Sequence, residues 1–459
     1  MNSSPTALRR LIWLYFWLLI FEGALRKWFV PGLSNALLIV RDPVVIAIYA
    51  LAIRDRLFPV SGFILWNLVL AVLCLLASFA GIGTIAVTVY GLRADFLHLP
   101  LAFLMPVVLR AEDVRRMGLA LLLLLVPMTL LAVLQFKGGP NSAWNVGVGG
   151  EVGAQLYAAA GKVRASGTFS FATGLATYLA LSTAFLLGDW LSRRSYPRWL
   201  TVAAIPALAL TLGVSGSRTA VISVTIVCSL VLYIALRRPA QMRGAVLFVL
   251  LAVTAVVALA WLAPVFLEGV AVQKERFQSG GGVEQGIIVR YGQDFVAAAG
   301  ALSNAPPLGL GLGVGTNVGA KLLQGHVEFA LGEGEWQRVI LESGAVLGAL
   351  YIALRTGMLL YVTLVALQAY RQGRILPLLL VGAGGLDLAT GQFGQPTTLG
   401  FAVFTAGLAL TAARPETATA TPPLAQRSAP PPATVPTTIR GRSAYAERLY
   451  RSEEKKEER

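Results

Sequence analysis

Apolar runs of about 15–25 residues recur along this chain from residue 11 to residue 412, separated by short polar stretches rich in arginine. A helix rises about 1.5 Å per residue, so roughly 20 such residues match the ~30 Å hydrocarbon layer of a bilayer. Within that layer every backbone N–H and C=O must be satisfied inside the segment, which favours helices for runs of this length. Composition agrees, with 56% hydrophobic and only 13% charged residues, where a soluble domain carries about 25% charged. The pattern predicts an all-α, polytopic membrane protein.

The predicted spans are 11–25, 36–53, 61–80, 94–110, 117–136, 170–188, 199–214, 219–236, 244–266, 338–370, 375–390 and 397–412, with 84–93 interfacial or re-entrant. The 338–370 run, interrupted by Arg355, would fit one helix or two. Cytoplasmic loops collect Lys and Arg, and this decides for one helix. Only then do Arg371 and Arg374 share a side with Arg54, Arg56, Arg110, Arg116, Arg193, Arg194, Arg237 and Arg238. This predicts about 12 transmembrane helices, both termini cytoplasmic, and a large periplasmic loop, 267–337, between helices nine and ten. That loop carries Lys274, Arg276, Arg290 and Lys321 against seven acids, which supports the same orientation. The stretch RKWFVPG after the first run is expected to be an interfacial basic and aromatic patch. Residues 1–412 form the predicted membrane domain. Residues 413–459, Pro-rich and then charged, are expected to be a disordered cytoplasmic tail.

A net charge of +15 would suggest nucleic acid in a soluble protein. Here basic inner loops account for it, and no basic domain with interleaved aromatics stands outside the spans. No nucleic-acid partner is expected. Cys74 and Cys228 sit in apolar runs, and with His98 and His326 they are too dispersed to suggest a metal site. The first run, following Arg9 and Arg10, has the form of an uncleaved anchor.

The candidate chemistry lies at the outer ends of the spans. Arg93, Arg164, Arg218 and Arg290 fall there, with Arg338 at the outer start of the tenth. An arginine near hydrocarbon costs about 2.5–3.5 kcal/mol on insertion scales, and its planar fork suits phosphate. As a set the arginines point to an anionic ligand; singly, each could snorkel to headgroups or pair with an acid. Glu335, Arg338 and Glu342 share a helix face at i, i+3 and i+7. They are either an ion-paired group or a general base with its tuning partner, with Glu333 and His326 as neighbouring candidates. The run PPLGLGLGVGTNVGAK lacks the Lys-Ser/Thr of a phosphate-binding loop and is expected to pack tightly against the site.

RASGTFSFATGLATYLAL (164–181), LTLGVSGSRTAVIS (210–223), PPLGLGLGVG (306–315) and RVILESGAVLG (338–348) occur in this order within about residues 90–410. Together they resemble the O-antigen ligase and O-antigen polymerase superfamily. The resemblance implies a GT-C-like helical fold in the bacterial inner membrane. It implies metal-independent, cofactor-free transfer of glycan from an undecaprenyl-diphosphate-linked donor to a hydroxyl of a glycan or lipid-linked acceptor. Membrane lipids and a polysaccharide-assembly complex are the further partners it implies. The family's diphosphate-binding arginines map onto Arg164 and Arg218, and more loosely onto Arg290. Ligases commonly carry a histidine about nine residues before the glutamate at position 342. Here Glu333 stands in that place with Glu335 close by, which favours a polymerase or exopolysaccharide branch and a carboxylate in the histidine's role. The competing expectation is a transporter or flippase of lipid-linked oligosaccharide, for which Arg355 and Asp387 would be the working residues.

Overall fold

The computed structural model describes residues 4–415, apart from 154, 156, 193–194, 280–289, 326–330 and 332–333. His326, Glu333 and the tail from 416 onward lie outside the described residues, as does the side chain of Arg290. The protein is 78% helix, and no strand occurs among the described residues.

Among the described residues six helices are long and apolar enough to cross a membrane: Pro31–Arg54, Ala111–Gly138, Ala172–Leu191, Arg218–Arg237, Pro239–Leu262 and Glu335–Arg371. A seventh candidate is bent by 44° between Ile85–Leu97 and Leu101–Val108. Other expected spans appear as shorter apolar helices, Gly62–Ser78, Arg198–Val214, Leu376–Thr390 and Pro396–Ala412. The first helix, Ser4–Ala24, carries Arg9, Arg10 and Glu22. Pro239–Leu262 has no fully buried residue: Ala245, Phe248, Leu251, Ala252 and Ala255 pack against the core and the rest of its apolar surface faces outward.

In chain order, α1 is Ser4–Ala24, α2 Arg41–Arg54, α3 Gly62–Ser78, α4 Ile85–Leu92 and α5 Leu101–Val108. Then α6 is Ala111–Gly138, α7 Ala172–Leu191, α8 Arg198–Val214, α9 Arg218–Arg237, α10 Pro239–Leu262 and α11 Pro264–Gln278. Finally, α12 is Arg290–Asn304, α13 Asn317–Gln324, α14 Glu335–Arg371, α15 Leu376–Thr390 and α16 Pro396–Ala412. Local chemistry sets several starts. Ser61, Thr84, Ser217 and Thr316 each accept a backbone N–H from the first turn of the helix they precede, and Pro396 opens α16. The innermost helices are α7 and α16, both buried almost end to end.

The 338–370 run, expected as one helix, lies in α14 as two helical stretches that meet at a non-helical Gly344 (φ 82°, ψ 166°), with Arg355 inside the second. A break inside a helix releases carbonyls that must find donors elsewhere. The glycine-rich run supplies them: Leu310 N–H donates to the Leu341 carbonyl and Gly311 N–H to that of Glu342, both at 2.9 Å. The same run also lies against α3 and α4, with Leu312 N–H on the Ser78 hydroxyl and Gly313 against Gly91. A Cβ on Gly309 would stand 2.2 Å from the Glu342 carbonyl oxygen, so only glycine allows this approach.

The RKWFVPG patch departs from expectation. Arg26 and Lys27 fall in a π-helical turn, Leu25–Phe29, and are buried. Arg26 is bonded to Glu22, Ser170 and the Ser34 carbonyl, and Lys27 to Ser166. These charges are satisfied by protein, so they do not reach outward to headgroups. The aromatic Phe29 is exposed, as an interfacial residue would be.

Candidate functional site

Three polar groups are built into the helical core, and the sequence-predicted residues divide among them. The first surrounds Arg338. Its guanidinium pairs with Asp95 at 2.7 Å, Glu335 at 2.9 Å and Glu342 at 2.7 Å. Arg355, further along α14, pairs with Glu335 at 2.7 Å and stacks 3.6 Å from the Phe393 ring centre. The helical spacing read from the sequence does bring Glu335, Arg338 and Glu342 together. Asp95 arrives from the π-helical turn Arg93–Leu97 that bends the α4–α5 segment.

These carboxylates are fully engaged. Glu335 Oε1 meets Arg338, Arg355 and the Phe393 N–H, and Oε2 meets Arg338. Glu342 Oε2 meets Arg338 and Oε1 accepts the Gly315 N–H at 2.7 Å. Side-chain exposures are 1% for Glu335 and 0% for Glu342. The ion-paired alternative is thus the geometry present, and the glycine-rich run closes directly over Glu342. Arg355 Nε and Nη2 are taken up by the carbonyls of Leu388, Asp387 and Gly391.

Arg93 belongs to a second, separate group. It lies over the Tyr90 ring and pairs with Asp42 at 2.6 Å, and Asp42 also contacts His98 at 2.9 Å. Tyr15 joins His98 to Arg41, and Arg41 pairs with Glu22, which also holds Arg26. Arg93 and Asp95 are two residues apart and serve different ion clusters, because residues at i and i+2 point to nearly opposite sides of a helix.

The third group contains Arg164 and Arg218. Gly216 (φ 57°) turns the chain between α8 and α9, and a Cβ there would lie 3.7 Å from Arg164 Cγ and 3.8 Å from its Cα. The RASG stretch and the SGSR turn, separated by about fifty residues of sequence, are therefore in contact. Arg164 Nε donates to the Tyr157 carbonyl. Arg218 is half-buried at the first position of α9 and has no hydrogen bond or ion pair among the described residues. Its helix N-terminus adds partial positive charge. The helix α11 lays Gln273 on the Ser217 carbonyl at 2.8 Å and Arg276 on the Ala158 carbonyl at 3.2 Å. Lys162 pairs with Glu268 of the same helix.

The segment after Arg164 ties the groups into one frame. Ser166 and Ser170 hold Lys27 and Arg26, Thr173 contacts Gln395, and Thr177 donates to Asp387 at 2.7 Å. The loop 391–395 is the hub that sequence reading missed. It receives Arg355 at Gly391, gives Phe393 N–H to Glu335 and accepts Tyr90 at Gly394. Only its glycines and glutamines signalled it, a composition common to any turn. Arg276 was likewise read only as loop charge. Among the described residues no group of three or more His, Cys, Asp or Glu is arranged to hold a metal. No family model, curated protein or solved structure matches the chain.

Proposed function

We propose that the chain is a membrane glycosyltransferase of the O-antigen polymerase or ligase type, taking glycan from a polyprenyl-diphosphate-linked donor to a sugar hydroxyl. The observation that carries this is the contact of Arg164 with the Gly216 turn, two residues before the uncommitted Arg218 at a helix N-terminus. Two guanidinium groups at one end of a partly buried site suit a diphosphate, whose negative charge grows as the anomeric carbon–oxygen bond breaks. The donor bond is already activated, so no nucleotide is required. The Arg338 group, closed and internally neutralised, then acts as the frame that fixes the glycine-rich run and the broken α14.

The same reading takes twelve crossings: α1, 31–54, α3, the bent pair 85–108, α6, α7, α8, α9, α10, α14, α15 and α16. Both termini are cytoplasmic, and α11–α13 lie in the periplasm of a bacterial inner membrane. Single cysteines test it. Cysteine at position 162 is expected to react with an impermeant thiol reagent in intact spheroplasts, and cysteine at 110 or 374 only after permeabilisation. Labelling of 110 from outside would overturn the orientation.

The function itself is tested by in vitro transfer. Arg164→Ala and Arg218→Ala are each expected to lower the rate on the order of 10²–10³ without loss of membrane insertion. Lysine at either site should recover only part, since it lacks the bidentate fork. Near-normal transfer by both alanine variants would sink the diphosphate site. The second reading is transport of an intact lipid-linked glycan, favoured by the number of ionisable side chains inside the bundle. Movement of the lipid across vesicles without any transfer would establish it instead.

A further inference from the structure

We propose that Asp387 is the proton acceptor of the transfer reaction, the group that receives the proton of the attacking sugar hydroxyl. The inference rests on the glycosyl-transfer reading above. Glu22, Asp42, Asp95, Glu335 and Glu342 each have an arginine within 3.2 Å. Asp387 has none among the described residues: its carboxylate takes the Thr177 hydroxyl, at 2.7 Å. Arg355 is the nearest cation, but its donors go to Glu335 and to backbone carbonyls, including that of Asp387 itself. Asp387 is partly buried, with accessible surface that Glu335 and Glu342 lack. A carboxylate left with lone pairs and without a counter-ion inside an apolar bundle is held in place for something other than packing.

Its position relative to the arginines follows from three contacts. Thr177 stands in the second turn of α7, the helix that begins directly after the Arg164 stretch. Arg164 adjoins the Gly216 turn, so Arg218 lies at the same end. Across the bundle, Gly382 of α15 packs on Leu230 and Ile226 of α9. At 1.5 Å per residue, Arg218 stands about 12 Å beyond Ile226 and about 18 Å beyond Leu230, the nearer contact, while Asp387 stands about 7.5 Å beyond Gly382. The carboxylate is therefore about one to two helical turns deeper than Arg218. Thr173, Gln395 and Gln392 extend a row of hydrogen-bonding groups from Thr177 toward the start of α7 and the 391–395 loop. Such a row suits a polyhydroxyl acceptor.

The step balances within the two substrates. The hydroxyl proton moves to an Asp387 oxygen as the acceptor oxygen bonds to the donor's anomeric carbon. The bond from that carbon to the diphosphate oxygen breaks, and its electron pair leaves with the diphosphate. Asp387 then returns the proton to water or to the released diphosphate.

The test uses the full chain in nanodiscs, a synthetic polyprenyl-diphosphate-linked sugar and a glycan acceptor, with transfer and donor retention measured separately. Asp387→Asn is expected to lower kcat by about 10²–10⁴ while donor retention stays that of wild type. Formate is expected to restore part of the activity of Asp387→Gly, a rescue that a purely structural role would not permit. Near wild-type kcat in Asp387→Asn, or loss of donor retention without formate rescue, overturns the assignment. If neither variant accumulates, Thr177→Val carries the test: kcat is expected to fall with retention unchanged, and an unchanged kcat overturns it. A wild-type protein that neither retains donor nor transfers it would instead overturn the glycosyl-transfer reading beneath.

Discussion

Arg338→Met is expected to stop the protein from accumulating in the membrane. The substitution leaves Asp95, Glu335 and Glu342 buried around an apolar side chain, where each now has a 2.7–2.9 Å charged contact. Removing one partner of a buried pair costs about 3–5 kcal/mol, mostly because the remaining charge is stranded. Stranding Asp95 and Glu342 together removes much of the roughly 5–15 kcal/mol that holds a typical domain folded. Arg355 would relieve Glu335 alone, through its own 2.7 Å contact. Membrane abundance and melting in detergent are the measurements. A variant that melts within a few degrees of wild type would show that the cluster does not hold the fold. Adding Asp95→Asn and Glu342→Gln to Arg338→Met should recover part of the loss, because the acids are then neutral.

Gly344→Ala is expected to have the next largest effect. Its φ of 82° lies in the left-handed region, and a Cβ would stand 2.3 Å from the Pro307 carbonyl oxygen. The conformation alone costs on the order of 1–3 kcal/mol for an L side chain, before any clash. The obstacle is backbone, so relief requires moving either the glycine-rich run or the broken α14. Both carry the hydrogen bonds from Leu310 and Gly311 that satisfy the broken helix. Gly300→Ala is the control, since a Cβ there meets nothing within 4 Å and φ is ordinary. That exposed helical position should gain up to about 1 kcal/mol. Equal melting temperatures for the two variants would refute the account of the break.

What the sequence revealed depended on how far apart the interacting residues are. Charge placement favoured one helix for 338–370 but gave no sign of the break at Gly344, because a loop's sign says nothing of the backbone within a helix. The i, i+3, i+7 spacing foretold the Glu335–Arg338–Glu342 cluster, because helical spacing is a local property. Asp95 and Arg355 were visible as charges but not as members, since nothing local to Asp95 announces a partner on another helix. Arg26 and Lys27 were misjudged because hydropathy treats a charge as the edge of a span, and Arg41 was passed over inside the 36–53 run, where the apolar average hides it. Their partners, Ser170, Ser166 and the Pro396 carbonyl, lie 139 to 355 positions away. The contact of Arg164 with the SGSR turn could be expected only from family resemblance, not from spacing. The glycine-rich run was legible as a close-packed loop, while the reason for its glycines became clear only beside the broken helix.

The bent α4–α5 segment has a consequence for how the chain is made. Arg93 finds Asp42 only 51 positions behind it, already synthesised when the segment enters the membrane. Asp95 must wait for Arg338, 243 positions ahead. At about 5–20 residues per second of translation, that carboxylate spends roughly 12–50 s in the nascent bundle before its counter-ion exists. During that time the first half of the protein holds its cation in place and its acid unanswered. Ribosome-stalled or truncated chains ending before α14 should therefore be handed to quality control, whereas the complete chain neutralises its own acid with the last helices to emerge.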